Sequence, residues 1–304
     1  MRNQFLIVIA VITLGLLGCV NWLYAADTAG TSMVTFDFVH VSGKKVADDG
    51  SRVTQYDQAI VTQGEAQFSA DVIVDNSKGN VHNLTCTGTP KFHDSENDIT
   101  ATTVIAHSTP RSADFVGNVV ADSKPKSEPN GKGLRGNPTH ITSDKLTYDY
   151  ARKWGEFSSN VVMLITPRKP VSGTDTKDLN SQLSSAPTTI TCDSLSYDAN
   201  AHKALAKDNV VVKQKNRTLW AEQGIYDESA DLVVLTGNVR IKNEGEGEVK
   251  SFENADKVSV SVAGTDEWID AVAKPGERIK MVLEVQNNAT PAKPDASSSQ
   301  IKSR

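Results

Sequence analysis

Four stretches of the chain superimpose without a gap, each opening on an aliphatic residue and reaching an asparagine nineteen residues later. They run from Ile99 to Asn118, Ile141 to Asn160, Ile190 to Asn209 and Leu219 to Asn238, and a valine follows every asparagine. In the last three an acidic residue stands three after the start (Asp144, Asp193, Glu222), and a Tyr-Asp pair closes the first half (Tyr148-Asp149, Tyr197-Asp198, Tyr226-Asp227). A register held this strictly builds one backbone unit again and again. Units of this kind bury a continuous core by stacking, so function belongs to the stack rather than to one residue.

Each unit reads as two strands. Runs such as Ile141 to Tyr148 and Asn209 to Lys213 are short, rich in β-branched residues and bounded by Gly, Asn or Asp, the signature of strands between turns. After the leader no amphipathic run at helical period is found. Asp149, Asp198 and Asp227 open the turn, where a carboxylate can bond the local backbone. The second strand breaks in its middle at Gly117-Asn118, Ser159-Asn160, Asp208-Asn209 and Gly237-Asn238. Residues that tolerate positive φ at one fixed place predict a bulge or tight bend in every unit. The change of parity between Ile141 and Leu146 predicts a second irregularity in the first strand.

The aliphatic and aromatic positions then form one inner stripe: Ile141, Leu146, Tyr148, Phe157 and Val161 in one unit, Ile190, Leu195, Tyr197 and Val210 in the next. Leu219, Tyr226, Leu235 and Val239 complete it. Position seventeen is Phe115, Phe157, Ala206 and Leu235, and the third position is small throughout (Ala101, Ser143, Cys192, Ala221). Such a stripe can pack on itself or contact an apolar ligand; each buried methylene is worth about 0.8 kcal/mol in either case. Units are expected at 68–92 (with two extra residues), 99–121, 141–164, 190–213 and 219–242, with a truncated one at 252–262. The whole body is expected over 52–286, after a linker at 27–51 and before a disordered tail at 287–304. Insertions at 122–138 and 167–187 read as surface loops. Exposed strand edges, which can pair with another chain, are expected near Val53 to Thr62 and Val258 to Val262.

Residues 1–26 are an export signal or membrane anchor and stand outside the fold. Three fates compete. Leu16-Leu17-Gly18-Cys19 resembles a lipobox with Cys19 as the lipid acceptor, Leu23-Tyr24-Ala25 is a cleavage site, or Phe5 to Ala26 remains as a span of about 22 residues. In each case the body faces an extracytoplasmic space. There Cys86 and Cys192 either pair or remain buried, inert thiols.

A formal net charge of -5 gives no footprint for nucleic acid. The six histidines (His40, His82, His93, His107, His140, His202) show no metal-ligand spacing, and His140 and His202 read as exposed loop residues. No nucleotide-binding or nucleophile motif occurs, and an acid repeated at equal positions argues for structure rather than catalysis. The expectation is no enzyme, no cofactor and no metal.

The unit Ile-Thr-x-Asp-x-Leu-x-Tyr-Asp followed by x-Asn-Val-Val-Val resembles the OstA-like domain shared by the LptA and LptC proteins of bacterial lipopolysaccharide transport. Leu219 to Lys242 matches best, and the resemblance spans about residues 52 to 262. It implies an all-β fold, a twisted β-jellyroll of stacked antiparallel strands whose interior holds the acyl chains of lipopolysaccharide or a related lipid. It also implies edge-strand pairing with other OstA-like domains, an inner-membrane exporter complex as partner, and a periplasmic location; the leader, where it is retained, tethers the body to the inner membrane, with the cleaved and lipidated forms left open. Two features depart from the family pattern: the chain is longer than a single such domain, and the two insertions are unusual. A retained anchor fits the LptC-like role, the dense repeats the LptA-like one. The alternative is a cell-surface structural or adhesive β-repeat protein with a packed core and no lipid ligand. A polysaccharide-binding module would need a row of exposed aromatics, and aromatic residues make up 6% of the chain, several of them at core-like positions.

Overall fold

The computed structural model describes residues 34–46, 49–63, 66–93, 97–123, 138–149, 152–166, 186–198, 200–201, 203–214, 217–227, 229–230, 232–244, 249–261 and 269–283. These residues form eighteen strands in one antiparallel sheet, with no helix among them. The fold is an all-β twisted jellyroll.

Its regular part is a meander. β9 (Arg111–Ser123), β10 (Thr139–Asp149), β11 (Trp154–Ile165), β12 (Thr188–Asp198), β13 (Lys203–Gln214), β14 (Arg217–Asp227), β15 (Leu232–Asn243) and β16 (Val249–Ser261) each pair antiparallel with the next. Every ladder is interrupted near its middle, as between Ser158 and Val161 or Lys207 and Val210. The interruption coincides with left-handed backbone at Asn118 (φ 49°), Asn160 (56°), Asn209 (54°) and Asn238 (49°). Each strand is therefore folded across its middle, and the two sets of halves make two layers around a common core. The predicted bend is present in every unit, and the parity change in the first strand is a register shift at Thr142 to Lys145.

Upstream the fold goes further and splits the strand in two. β4 (Ala66–Lys78) pairs through one half with β5 (Val81–Thr87) and through the other with β6 (Lys91–His93). β9 likewise pairs with β8 (Thr103–Ser108) and with β7 (Asn97–Thr100). β5 and β8 adjoin in one layer, β6 and β7 in the other. At the N-terminal end β1 (Val34–Asp37) and β2 (His40–Lys45) share β3 (Ser51–Gln63), which pairs with β4 on its other side. At the C-terminal end β17 (Ile269–Ala273) and β18 (Lys280–Leu283) share β16.

Three expectations need correction. Residues 34–45 are not linker but the end rung, because the β3 edge would otherwise be unpaired. For the same reason the free edges are not Val53 to Thr62 or the strand through Val258, both of which are paired on two sides. Among the described residues the strands paired on one side are β1 and β2 at one end and β17 and β18 at the other. His140 is not in a loop; it sits on β10 directly opposite Asp122 of β9. The leader with Cys19, the tail, His202 and most of both insertions lie outside the described residues. The insertions' described edges are ordered structure: Asp122 and Ser123 belong to β9, and Ala186 is buried. Cys86 and Cys192 are separate buried thiols rather than a disulfide. They stand on β5 and β12, which share no ladder.

Candidate functional site

The repeated polar residues are partners of one another. Asn160 donates from Nδ2 to Asp144 Oδ2 at 2.7 Å and Asn209 to Asp193 Oδ2 at 2.9 Å, while Asn238 donates to Glu222. The acid of the first strand thus brackets the bend of the second. In the first full unit Thr102 replaces the acid, and its hydroxyl donates to the Gly117 carbonyl at 3.0 Å. In the extended upstream unit Asp71 lies against Gly88. The Tyr-Asp aspartates cap the turns: Asp149 accepts from the Arg152 N–H, Asp198 from those of Asn200 and Ala201, and Asp227 from those of Ser229 and Ala230. All of this chemistry is used to shape the backbone.

What the shaped backbone presents inward is two unbroken apolar rows. In the layer containing β2, β5, β8 and β17, successive partners are Val41, Tyr56, Ile73, Cys86, Val104, Phe115, Leu146, Phe157, Leu195, Ala206, Gly224, Leu235, Val258 and Ala271. In the other layer they are Phe36, Val61, Phe68, Phe92, Ile99, Ala121, Ile141, Met163, Ile190, Val212, Leu219, Ile241, Phe252 and Met281. Fourteen consecutive strand positions without a polar side chain is far more than one turn of packing requires. Along the fold line Val119, Val161, Val210 and Val239 are buried beside the small third-position residues Ser143, Cys192 and Ala221.

Each layer has its own rim. One rim alternates large and small: Ala113, Tyr148, Gly155, Tyr197, Ala204 and Tyr226 are successive partners, so each tyrosine ring has a small neighbour across the ladder. The other rim is polar. Asn97, Ser123, Thr139, Ile165, Thr188, Gln214, Arg217 and Asn243 are successive partners, with Ile165 the one apolar member. The rims face each other: Ser123 and Thr139 of the polar one line the same narrow apolar cavity, about 30 Å³, as Gly155, Tyr197 and Ala204 of the other. Ile141, Phe157 and Leu195 form its floor.

The interior is not uniform along the stack. In the N-terminal rungs the inner residues are sealed, with Val61, Phe68, Phe92, Ile99, Phe115 and Val119 all fully buried. That end is closed by Phe36, which meets Tyr56 of the opposite layer at 4.8 Å between ring centroids, and by Phe38 beside both. From β12 onward solvent reaches the inner face: Ile190, Ala204, Val212, Leu219, Val233, Ile241, Val260 and Ala271 are only partly buried against the core. A cavity of about 30 Å³ holds roughly one water molecule, so the space between β9 and β13 is nearly filled, while Leu235, Val239, Phe252 and Val258 stay buried further along.

The residues singled out in the sequence are all on this inner face. Ile141, Leu146, Tyr148, Phe157, Val161, Leu195, Tyr197, Val210, Leu235 and Val239 are buried, while Ile190, Leu219 and Tyr226 are half-buried. Sequence reasoning missed Ala204, Val212, Val233 and Ile241 at the open half, and the polar rim altogether. Side-chain size at position seventeen, phenylalanine twice, then alanine and leucine, marks only the change at Ala206.

The buried thiol and phenol of the inner face are held in their neutral forms. Burial, reinforced by Asp193, pushes the Cys192 thiol up to about 11, and burial with Asp149 pushes the Tyr148 hydroxyl up to about 12; a raised thiol is a poor nucleophile. Among the described residues no group of three or more His, Cys, Asp or Glu side chains is placed to hold a metal ion. Four of the five described histidines instead join carboxylates: His40 to Asp57 at 2.9 Å, His82 to Asp75 at 2.8 Å, His93 to Asp98 at 2.9 Å and His140 to Asp122 at 2.8 Å, while His107 joins Asn83 Oδ1 at 2.7 Å. The pairing of Asp98 with Asp122 across β7 and β9 explains two of these partnerships, since like charges directly opposite destabilise a sheet unless neutralised.

No family model matches the chain, and no curated protein matches it in sequence. One solved structure with which it aligns is that of LptH, the LptA-homologous periplasmic component of the lipopolysaccharide transport device from Pseudomonas aeruginosa. The identity is 12%, over 84% of this chain and 96% of that one, at a TM-score of 0.17. The fold is defined by its own strand pairings rather than by that likeness.

Proposed function

We propose that this protein is a periplasmic lipid-transport component of the OstA-like kind, exported or anchored by residues 1–26, which holds the acyl chains of lipopolysaccharide or a related lipid inside its roll. The supporting observation is the inner face that turns from sealed to solvent-reached at Ile190 while staying apolar in both rows. An apolar surface kept accessible costs stability unless something covers it. About ten methylenes laid along it would gain about 8 kcal/mol before the costs of ordering the chain. The sequence resemblance supplies the identity of the lipid.

The two end rungs support the bridging part of the role. Val39, Val41 and Val46 at one end and Ile269, Val272, Met281 and Val282 at the other are exposed apolar side chains on or beside free edges. Edges of this composition favour pairing with another strand. In this reading they dock a like domain on one side and the inner-membrane exporter complex or a further like domain on the other.

A photoreactive amino acid at Val212, Leu219 or Val233 is expected to trap lipopolysaccharide in living cells, with Leu146 and Val161 in the sealed half giving none. Folded, expressed protein that captures no lipid at the first three positions sinks the proposal. The sealed N-terminal half favours one competitor, a structural spacer with a packed core. That reading expects depletion of the protein to leave bile-salt and detergent sensitivity unchanged, whereas lipid transport expects a sharp rise.

A further inference from the structure

We infer that the open end of the polar rim, at Gln214, Arg217 and Asn243, is a headgroup subsite for an amphiphile whose head carries a phosphate. This rests on the lipid-carrying reading of the interior and says which end of the lipid the rim recognises. In the closed half the rim is internal, with Asn97, Ser123, Thr139 and Thr188 buried. Gln214 still belongs to that network, donating to Thr188 Oγ1 at 3.0 Å and to the Ala186 carbonyl at 3.4 Å. One rung further on the row surfaces: Arg217, its charged member, is exposed, and Asn243 opposite it is half-buried.

The neighbours fix what such a site can take. Arg217 stands two residues from Leu219, and Asn243 two from Ile241, so both pairs share the inner face and their backbone positions lie about 7 Å along the strand from the apolar row. That is the separation between a phosphate and the first methylenes of a lipid lying in the groove. A guanidinium presents a planar fork that fits phosphate in a bidentate way. The chain's formal net charge of -5 gives no general attraction for anions, so a preference for one needs a local cation; Arg217 is the one in the polar row, while Arg240 and Lys242 line the cavity beside Asn243 and Ile241. Arg240 provides a contrast: it lies over the Trp220 ring at 5.1 Å, on the outward-facing residues of the same two strands.

Short-chain phosphatidic acid and the diacylglycerol of the same chains, titrated calorimetrically into the full protein, test this directly. The wild type is expected to prefer the phosphate-bearing lipid by about tenfold or more. Arg217→Gln should erase the preference while keeping the diacylglycerol affinity and the melting temperature. Arg217→Lys should retain part of it, and Arg240→Gln all of it. A preference that survives Arg217→Gln, or is lost equally in Arg240→Gln, overturns the subsite while leaving lipid carriage intact. Inorganic phosphate binding as tightly as phosphatidic acid would make this a free-anion site and overturns it too. Wild type that binds neither lipid removes both this inference and the reading beneath it.

Discussion

If the repeated asparagine is there to make a bend, its backbone conformation should matter more than its hydrogen bond. Asn209 tests this. Its φ is 54°, preceded by Asp208 at 59°, and its side chain donates to Asp193 at 2.9 Å in an exposed position. Alanine at 209 must occupy the left-handed region, at about 1–2 kcal/mol, and also loses an exposed hydrogen bond worth about 0.5–1 kcal/mol. Glycine loses the bond but not the conformation, and Asp193→Ala does the same from the other side. A change of 1 kcal/mol moves the midpoint of a domain this size by about 2–4 °C. Asn209→Ala should therefore melt about 3–12 °C early, and Asn209→Gly and Asp193→Ala about 1–4 °C early. The Asn209→Gly and Asp193→Ala double variant should be little worse than either alone, because both remove the same bond. Stacked rungs need not unfold as one unit, so amide exchange at β12 and β13 should accompany the melts and show the loss centred there. Glycine as damaging as alanine would refute the conformational argument, and alanine without effect would refute the bend itself.

Other consequences follow from the same geometry. Gly237→Ala should be worse than Asn209→Ala, since φ is +75° and the new Cβ would lie 2.6 Å from Glu222 Cβ; failure to fold at 37 °C, or a midpoint below that of Asn209→Ala, is the expected readout. Phe115→Ala, in the sealed half, should cost about 3–5 kcal/mol, whereas Val233→Ala on the open inner face should cost under about 1 kcal/mol; equal losses in urea unfolding would contradict the division into closed and open halves. Asp227 is held below the usual carboxylate range, first by its hydrogen bond with Lys203 and then by the turn N–H groups. A depressed acid contributes stability above the unfolded pKa, near 3.9, and loses it as pH falls through the lower folded value. Melting midpoints should accordingly drop less for Asp227→Asn than for wild type below about pH 4, and identical slopes would remove Asp227 from the account. Cys192 in native protein at pH 8 should resist iodoacetamide and label fully in urea, measured at its own peptide by mass spectrometry.

The unit itself was legible in the sequence because its markers are local. Asn160, Asn209 and Asn238 announce positive φ through residue type, Asp149, Asp198 and Asp227 announce turns, and alternation around Tyr148 and Tyr197 announces an inner face. What could not be read is anything that depends on which residues lie opposite one another. Asn97, Thr139 and Arg217 are 42 and 78 residues apart in the chain, and only the ladders, each shifted by its bulge, place them in one row. The histidine-carboxylate pairs were hidden for the same reason: His140 and Asp122 are joined by a cross-strand register, not by spacing. The edge strands were misplaced because β1 and β2 are too short and too polar in their surroundings to show a periodic signal.

The division of the interior lies between these cases. The register fixes the backbone so firmly that every unit can offer the same inner positions, and it leaves the size of the side chain at each position unconstrained. Where position seventeen is Phe115 or Phe157, opposed by Ile99, Ile141 and Met163 across the core, the two layers meet and water is excluded. Where the same row continues as Ala206 and Gly224, before Leu235 and Val258, the side chains are smaller for two strands, and Leu219, Val233 and Ile241 nearby are only partly buried. A chain selected only to pack would be expected to fill both halves alike, since enlarging Ala206 to leucine would add buried apolar area at no cost to the bend. That the unit is copied faithfully in backbone and unfaithfully in volume is the feature that the proposed lipid-carrying role explains and a purely packed core does not require.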